Sequence, residues 1–369
     1  MTAVVLICAM LLVAIVPLLP RIIHLILIPD FTMFWMGGRF GLFAPSLLYD
    51  VDALTAAQAG LRIGAKPGPL PFIYPPTTLP FLVPFALVPF WPAYALWTIA
   101  GAVAFWTAAR RLTSGWIATL SVFSPAGVLV LILGQTSFMV GAAILWSLAL
   151  LRERPILSGA LMAVAAAIKP QSAILAPVAF IAARNWRALI AAGCTWLVIA
   201  FVSLAFGPRL WLDWIEDLPS FHEILVYWKL YQLGATPLML ARFLHLDPTA
   251  FLVAGVVAGV AVAWIGMKSD DLNTRALAFV GGTMLASPYA MNYELVMMAP
   301  MLIAAALTTT LTGLVIALPL VASRVYAIVP SLAVSVALAL WTSRRSKAFS
   351  DRLHRPPNVA GRDLEQPGG

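Results

Sequence analysis

Long apolar runs rather than alternation organise this chain: residues 1–20, 112–151, 188–208, 248–267, 276–293, 295–323 and 325–343 contain no charged side chain. Such runs predict membrane-spanning helices, which need about 20 apolar residues each, whereas a barrel would show period-two alternation. The chain is expected to cross at 3–28, 92–109, 114–133, 136–151, 156–169, 170–184, 187–206, 249–267, 274–289, 291–309, 311–323 and 325–341. The expected architecture is therefore all-α and polytopic, with about 11–12 spans.

Several predicted crossings are short, and one apolar stretch is broken by design. Residues 71–92, PFIYPPTTLPFLVPFALVPFWP, hold Pro71, Pro75, Pro76, Pro80, Pro84, Pro89 and Pro92. Each proline removes a backbone donor, so this stretch predicts a re-entrant or interfacial segment instead of one regular helix. Short, interrupted helices survive at membrane depth only where protein or water surrounds them.

The placement of charge adds orientation. Arg110–Arg111, Arg152 and Arg154, Arg184 and Arg187, Lys268 and the Arg344–Arg345–Lys347 cluster occupy short loops, the pattern retained on the cytoplasmic side. The loops 30–91 and 207–247 then fall outside, the latter with aromatics and acids spaced either as an interfacial helix or as a sugar- or lipid-docking surface. Residues 1–343 read as one transmembrane domain and 344–369 as a basic, disordered cytoplasmic tail.

Composition agrees with this picture and narrows the partners. The chain is 62% hydrophobic and 10% charged, too little polar surface for a soluble globule of 369 residues. The formal charge of +8 is explained by topology, so nucleic acid is not an expected partner. Cys8 and Cys194 lie in apolar runs, where they are expected as small buried hydrophobes without disulfide or metal roles. The N-terminus lacks a basic region before its apolar run, and the first run is expected to remain as a span. Soluble-enzyme signatures such as GxxxxGK[ST], GxGxxG, HExxH and GxSxG are absent.

Ionisable groups at membrane depth are costly and mark candidate chemistry. Three stand out: Asp30 after the first span, Lys169 after AVAAAI, and Glu294 in SPYAMNYELV. The expected topology puts all three at the same outer lip. Asp30, followed by Phe31, Phe34 and Trp35, suits a general base in a low-dielectric setting, or equally a helix N-cap. Lys169 needs a phosphate, an ion pair such as Glu294, or a route to the interface. Gln135, in LILGQTSF, offers an amide to a sugar hydroxyl or to nearby backbone.

Taken in order, DFTMFWMGGRFGLFAPSLLYD (30–50), FIYPPTTLPFLVPFALVP (72–89), GQTSFMVGAAIL (134–145), SGALMAVAAAIKPQSAIL (158–175) and SPYAMNYELVMMAP (287–300) resemble glycosyltransferase family 87. These are membrane proteins of the GT-C fold that resemble polyprenyl-phosphate-dependent mannosyltransferases. The resemblance implies inverting transfer of a sugar, mannose by default, from a polyprenyl-phosphate donor to a hydroxyl of a lipid or glycan acceptor. It places the reaction on the non-cytoplasmic face of a cell membrane, with a bacterial inner membrane expected. It maps the base onto Asp30, and donor- or acceptor-binding roles onto Arg39, Tyr74, Gln135, Lys169, Gln171, Tyr289, Asn292 and Glu294. No metal and no cofactor is expected beyond the donor itself. One departure is plain: many members carry Trp and His after the SP pair, where this chain has Tyr289, Asn292, Tyr293 and Glu294. The competing reading from architecture alone is a polytopic transporter of a lipid-linked or small polar substrate.

Overall fold

Helix is the only regular structure among the residues that the computed structural model describes, namely 30–61, 70–308 and 328–338 with the single positions 319 and 325. That is what uncharged apolar runs demand, because a helix satisfies its own backbone polar groups. The expected span 3–28, the segment 311–323 apart from position 319, the tail 344–369, Cys8, Arg62 and Lys66 lie outside the described residues.

After α1 (Phe31–Phe43) and α2 (Val51–Ala59), the proline-rich stretch forms a 3-10 turn, Pro76–Thr78, and the short α3 (Leu79–Ala86). A 117° bend separates this piece from α4 (Phe90–Ala109). The prolines thus break the stretch as their missing donors require. A second break, at Ser124–Pro125, divides α5 (Gly115–Val122) from α6 (Pro125–Leu133) with a 56° bend. The Ser124 hydroxyl caps the new helix by accepting from the Gly127 amide at 3.2 Å.

The chain continues through α7 (Ser137–Leu150), α8 (Pro155–Ile168), α9 (Ala176–Ala182), α10 (Trp186–Ser203), α11 (Leu210–Tyr227), α12 (Pro237–Phe243), α13 (Pro248–Gly266), α14 (Leu272–Ala286) and α15 (Ala299–Thr308). Among the described residues only Trp186–Phe206 and Pro248–Gly266 are by themselves long and apolar enough to cross a membrane; the two bent pairs would each supply one more. The expectation of 11–12 spans therefore resolves into a few full-length helices and several shorter apolar ones. On α10 the outward face carries Ile190, Leu197, Val198 and Phe201, all exposed, and Cys194 shares that exposure. Cys194 was expected to be buried; it lies instead on an apolar face with no protein cover.

Two separately packed cores result. One joins α1, α2, residues 72–82 and the start of α4, built on Phe31, Phe34, Phe72, Tyr74 and Trp97. The other runs through α4–α10 and α12–α15. In the larger core α13 and α14 touch backbone to backbone, since a Cβ added at Gly282 would sit 2.6 Å from the Gly259 carbonyl oxygen. Small residues are what permit so close an approach between membrane helices.

Helix direction sorts the polar residues to two ends. Helices α4, α7 and α8 each have one terminus near Gln135 or Lys169 and the other at a turn rich in arginine, and α14 runs from the Lys268–Asp271 turn to Ser287. Those turns are tied together: Asn273 donates to the Leu112 carbonyl at 3.1 Å, Arg152 bonds Asp270 at 2.8 Å, and Asn185 donates to the Leu151 carbonyl at 2.7 Å. Of the basic clusters predicted to share one side, those among the described residues, at 110–111, 152–154, 184–187 and 268, share one end.

Candidate functional site

The opposite end is built at the seam between the two cores. Helix α6 stops at Gly134, which adopts the left-handed conformation with φ of 63°. Only glycine does so freely, and a Cβ here would lie 2.7 Å from that of Phe31. The indole of Trp97 donates to the Gly134 carbonyl at 2.9 Å and locks the turn. This turn swings Gln135 toward Asp30, to whose carboxylate its amide donates at 2.6 Å.

Asp30 precedes α1 but its side chain makes no capping hydrogen bond. Of the two readings the sequence left open, the helix cap is thus absent, and the carboxylate is turned toward Gln135. Asp30 remains partly accessible. It lies in the connection before α1, where burial pushes its pKa above the usual carboxylate value while the Gln135 hydrogen bond and the Lys169 charge oppose that rise. The neighbours Phe31, Phe34 and Trp35 pack inward, Phe34 stacking on Trp97 with centroids 5.6 Å apart.

Lys169 stands where α8 ends, because Pro170 cannot continue the helix. The carbonyls released there are taken by the proline-rich segment: Thr77 donates to the Ala167 oxygen at 2.7 Å, and Thr78 reaches it at 3.2 Å. These bonds dock Tyr74 beside the lysine, and the Tyr49 hydroxyl fixes the Tyr74 carbonyl at 2.8 Å. Lys169 is only 1% exposed, which removes the interface-seeking alternative. Its ammonium pairs with Glu294 at 2.7 Å and faces the rings of Tyr293 and Tyr74 at 5.2 and 5.9 Å. A desolvated ammonium is stabilised by such a carboxylate and by π faces.

The remaining walls come from residues 287–294 and from α11. Ser287 donates to the Tyr289 carbonyl at 2.7 Å and shapes the turn after α14. The charges of Asp30 and Glu294 both act on the hydroxyls of Tyr74, Tyr289 and Tyr293, so these groups share one space. Helix α11 spans the opening: Trp214 donates to the Ile73 carbonyl at 3.2 Å, and Phe221 meets Tyr289 edge-on at 4.9 Å. The buried hydroxyls of Thr32, Ser137 and Ser172, each close in sequence to a site residue, have no hydrogen-bond partner among the described residues.

The structure therefore brings together Asp30, Tyr74, Gln135, Lys169, Tyr289 and Glu294 of the expected set. Gln171 and Asn292 are half-buried beside Lys169 and Tyr293 in the chain, without a described side-chain partner. Arg39 stands apart: it is exposed, donates to the Ala86 carbonyl at 3.4 Å and stacks on Trp35 at 4.9 Å. Nine residues along α1 carry it about 13 Å from Asp30. Tyr293 was missed as a site residue, although its spacing of four from Tyr289 was visible. Thr77 and Thr78 had no periodic signal at all. Among the described residues no group of three or more His, Cys, Asp or Glu side chains gathers in a metal-holding arrangement.

These features define a helical membrane protein with one buried polar site at one end of its bundle. The model of glycosyltransferase family 87 matches residues 72–288, more than half of the chain, and the chain belongs to that family. It is a membrane glycosyltransferase. No curated protein and no solved structure matches it. The matched stretch contains Tyr74, Gln135, Lys169 and Gln171, whereas Asp30 and Tyr289 to Glu294 flank it.

Proposed function

We propose that this glycosyltransferase moves a sugar, with mannose as the default, from a polyprenyl-phosphate donor to a hydroxyl of a lipid or glycan acceptor with inversion. In this reading the fold is of the GT-C type, the membrane is a bacterial inner membrane, and the site opens on its non-cytoplasmic face. Asp30 is the general base. Its carboxylate takes the proton of the acceptor hydroxyl, the acceptor oxygen attacks the anomeric carbon, and the bond to the phosphate oxygen breaks on the opposite face. Polyprenyl phosphate leaves as an already stabilised anion.

The other residues bind and orient. Gln135 aims the Asp30 carboxylate. Lys169 lies where it can donate hydrogen bonds to the donor phosphate, with Glu294 holding the ammonium in place. Because Glu294 offsets its charge, Lys169 contributes hydrogen bonds and position more than net attraction. Tyr74, Tyr289 and Tyr293 offer hydroxyls and ring faces to the sugar, and Gln171 and Asn292 line the rim. The single observation carrying this reading is the Asp30 carboxylate held by Gln135 beside a buried Lys169–Glu294 pair.

The test is transfer of labelled sugar from polyprenyl phosphate by purified protein. A positioned general base contributes about 10²–10⁴-fold, so Asp30→Asn is expected to lower kcat by about 10³-fold with thermal unfolding unchanged. Full activity in Asp30→Asn would remove the base assignment. Substrate uptake into vesicles without a new glycosidic bond would replace the transferase reading with the transporter.

A further inference from the structure

Two cations are buried among the described residues, Lys169 and Arg275. Lys169 has its carboxylate. Arg275, at the start of α14, is 6% exposed, and its Nε has no hydrogen-bond partner.

The nearby acids are engaged elsewhere. Asp271 accepts from both the amide and the hydroxyl of Thr274 at 2.7 Å, as the helix N-cap. Asp270 pairs with Arg152 at 2.8 Å. Both carboxylates attract Arg275 at longer range, and Arg152 repels it. A guanidinium withdrawn from water normally finds an acceptor, because leaving a charge buried without one is costly.

The surroundings suggest where that acceptor comes from. Arg110 lies over Trp106 at 4.8 Å, Arg111 over Trp146 at 5.0 Å and Lys268 over Trp264 at 5.1 Å. Indoles and long cations at helix ends mark the level of lipid headgroups. Summed over the turns at that end cations outnumber carboxylates, which favours anions at this rim, while the charges acting on Arg275 itself are Arg152, Asp271 and Asp270. The planar fork of arginine suits two phosphate oxygens at once.

We propose that Arg275 anchors a binding site for the phosphate of an anionic phospholipid headgroup, with Arg152 as its second ligand. The site lies about 17 Å along α14 from the sugar-transfer site, by the rise of a helix, and does not depend on the reading of that site. It recognises phosphate by a buried fork, while the flanking indoles sit against the acyl-chain boundary.

The experiment uses the full chain, delipidated in mild detergent and returned to nanodiscs of phosphatidylglycerol or phosphatidylcholine, with inorganic phosphate in detergent as a third arm. Native mass spectrometry should show one retained phosphatidylglycerol, and Tm should rise in the anionic nanodiscs only. Arg275→Gln should weaken that retention about tenfold or more, the scale of one lost charge-assisted contact of about 1.4 kcal/mol. Arg275→Lys, which keeps charge but loses the fork, serves where Gln fails to fold and should retain the lipid more weakly than the parent. Arg110→Gln, an exposed cation on the same rim, should leave it bound. Retention equal to the parent's in both Arg275 variants, or equal stabilisation in the two lipids, would overturn the site. Stabilisation by inorganic phosphate with no retained lipid would overturn its assignment to lipid.

Discussion

The two ends of the helix bundle solve the burial of positive charge in opposite ways. At the seam end Lys169 meets Glu294 at 2.7 Å, between tyrosine rings. At the arginine-rich end Arg275 is nearly as enclosed, yet its Nε lacks an acceptor within the described protein. In the proposed reaction, a closed pair would keep the site in one geometry before any substrate arrives. An unclosed guanidinium keeps its binding capacity for something from outside.

Breaking each cation tests that contrast. Lys169→Met strands Glu294, and losing one partner of a buried pair costs about 3–5 kcal/mol. Denaturant or thermal unfolding should show that loss, with transfer lost as well. Removing both partners with Lys169→Met and Glu294→Leu should recover most of the stability and none of the activity, which separates folding from function. Arg275→Gln strands no carboxylate, so its unfolding free energy should fall by much less. If the two single substitutions cost the same, the contrast between closed and open cations fails.

A smaller effect sharpens the seam end. Gly134→Ala forces a Cβ into a left-handed position beside Phe31, for which strain and overpacking together cost about 1–3 kcal/mol. Transfer should fall further than stability alone explains, because the turn aims Gln135. The mildest change is expected in pH dependence. The Gln135 hydrogen bond lowers the pKa of Asp30, so Gln135→Leu should raise it. Asp30 must be deprotonated to accept a proton, so the acidic limb of the kcat/KM profile should move to higher pH. A limb that stays in place would dissociate Gln135 from the base.

Much of the helix layout was legible because apolar runs without charge have few alternatives in a bilayer. The runs at 136–151, 187–206 and 249–267 appear as α7, α10 and α13 within a few residues. Breaks were legible where prolines cluster, at 71–92, and at Lys169–Pro170; the single Pro125 was not read as one, and the expected crossing 114–133 is split there by 56°. Asp30, Lys169 and Glu294 announced themselves because ionisable groups at depth are expensive. What they touch was not legible: the sequence left phosphate, ion pair and interface open for Lys169, and Thr77 and Thr78 reach the Ala167 carbonyl just before it from about 90 positions away in the chain. Arg39 shows the converse: a charge in a segment outside the spans carries no burial cost, so its exposed place away from Asp30 had no signature in the sequence. Arg275 was passed over because it blends with the loop arginines that set orientation, although its neighbours in sequence, Thr274 and Ala276, are buried.

Thr77 and Thr78 fasten one packed core to the other through the peptide oxygen of Ala167. The Trp97 bond to the Gly134 carbonyl and the Gln135 bond to Asp30 cross the same junction, so a slip of one core against the other would misplace the carboxylate and the ammonium together.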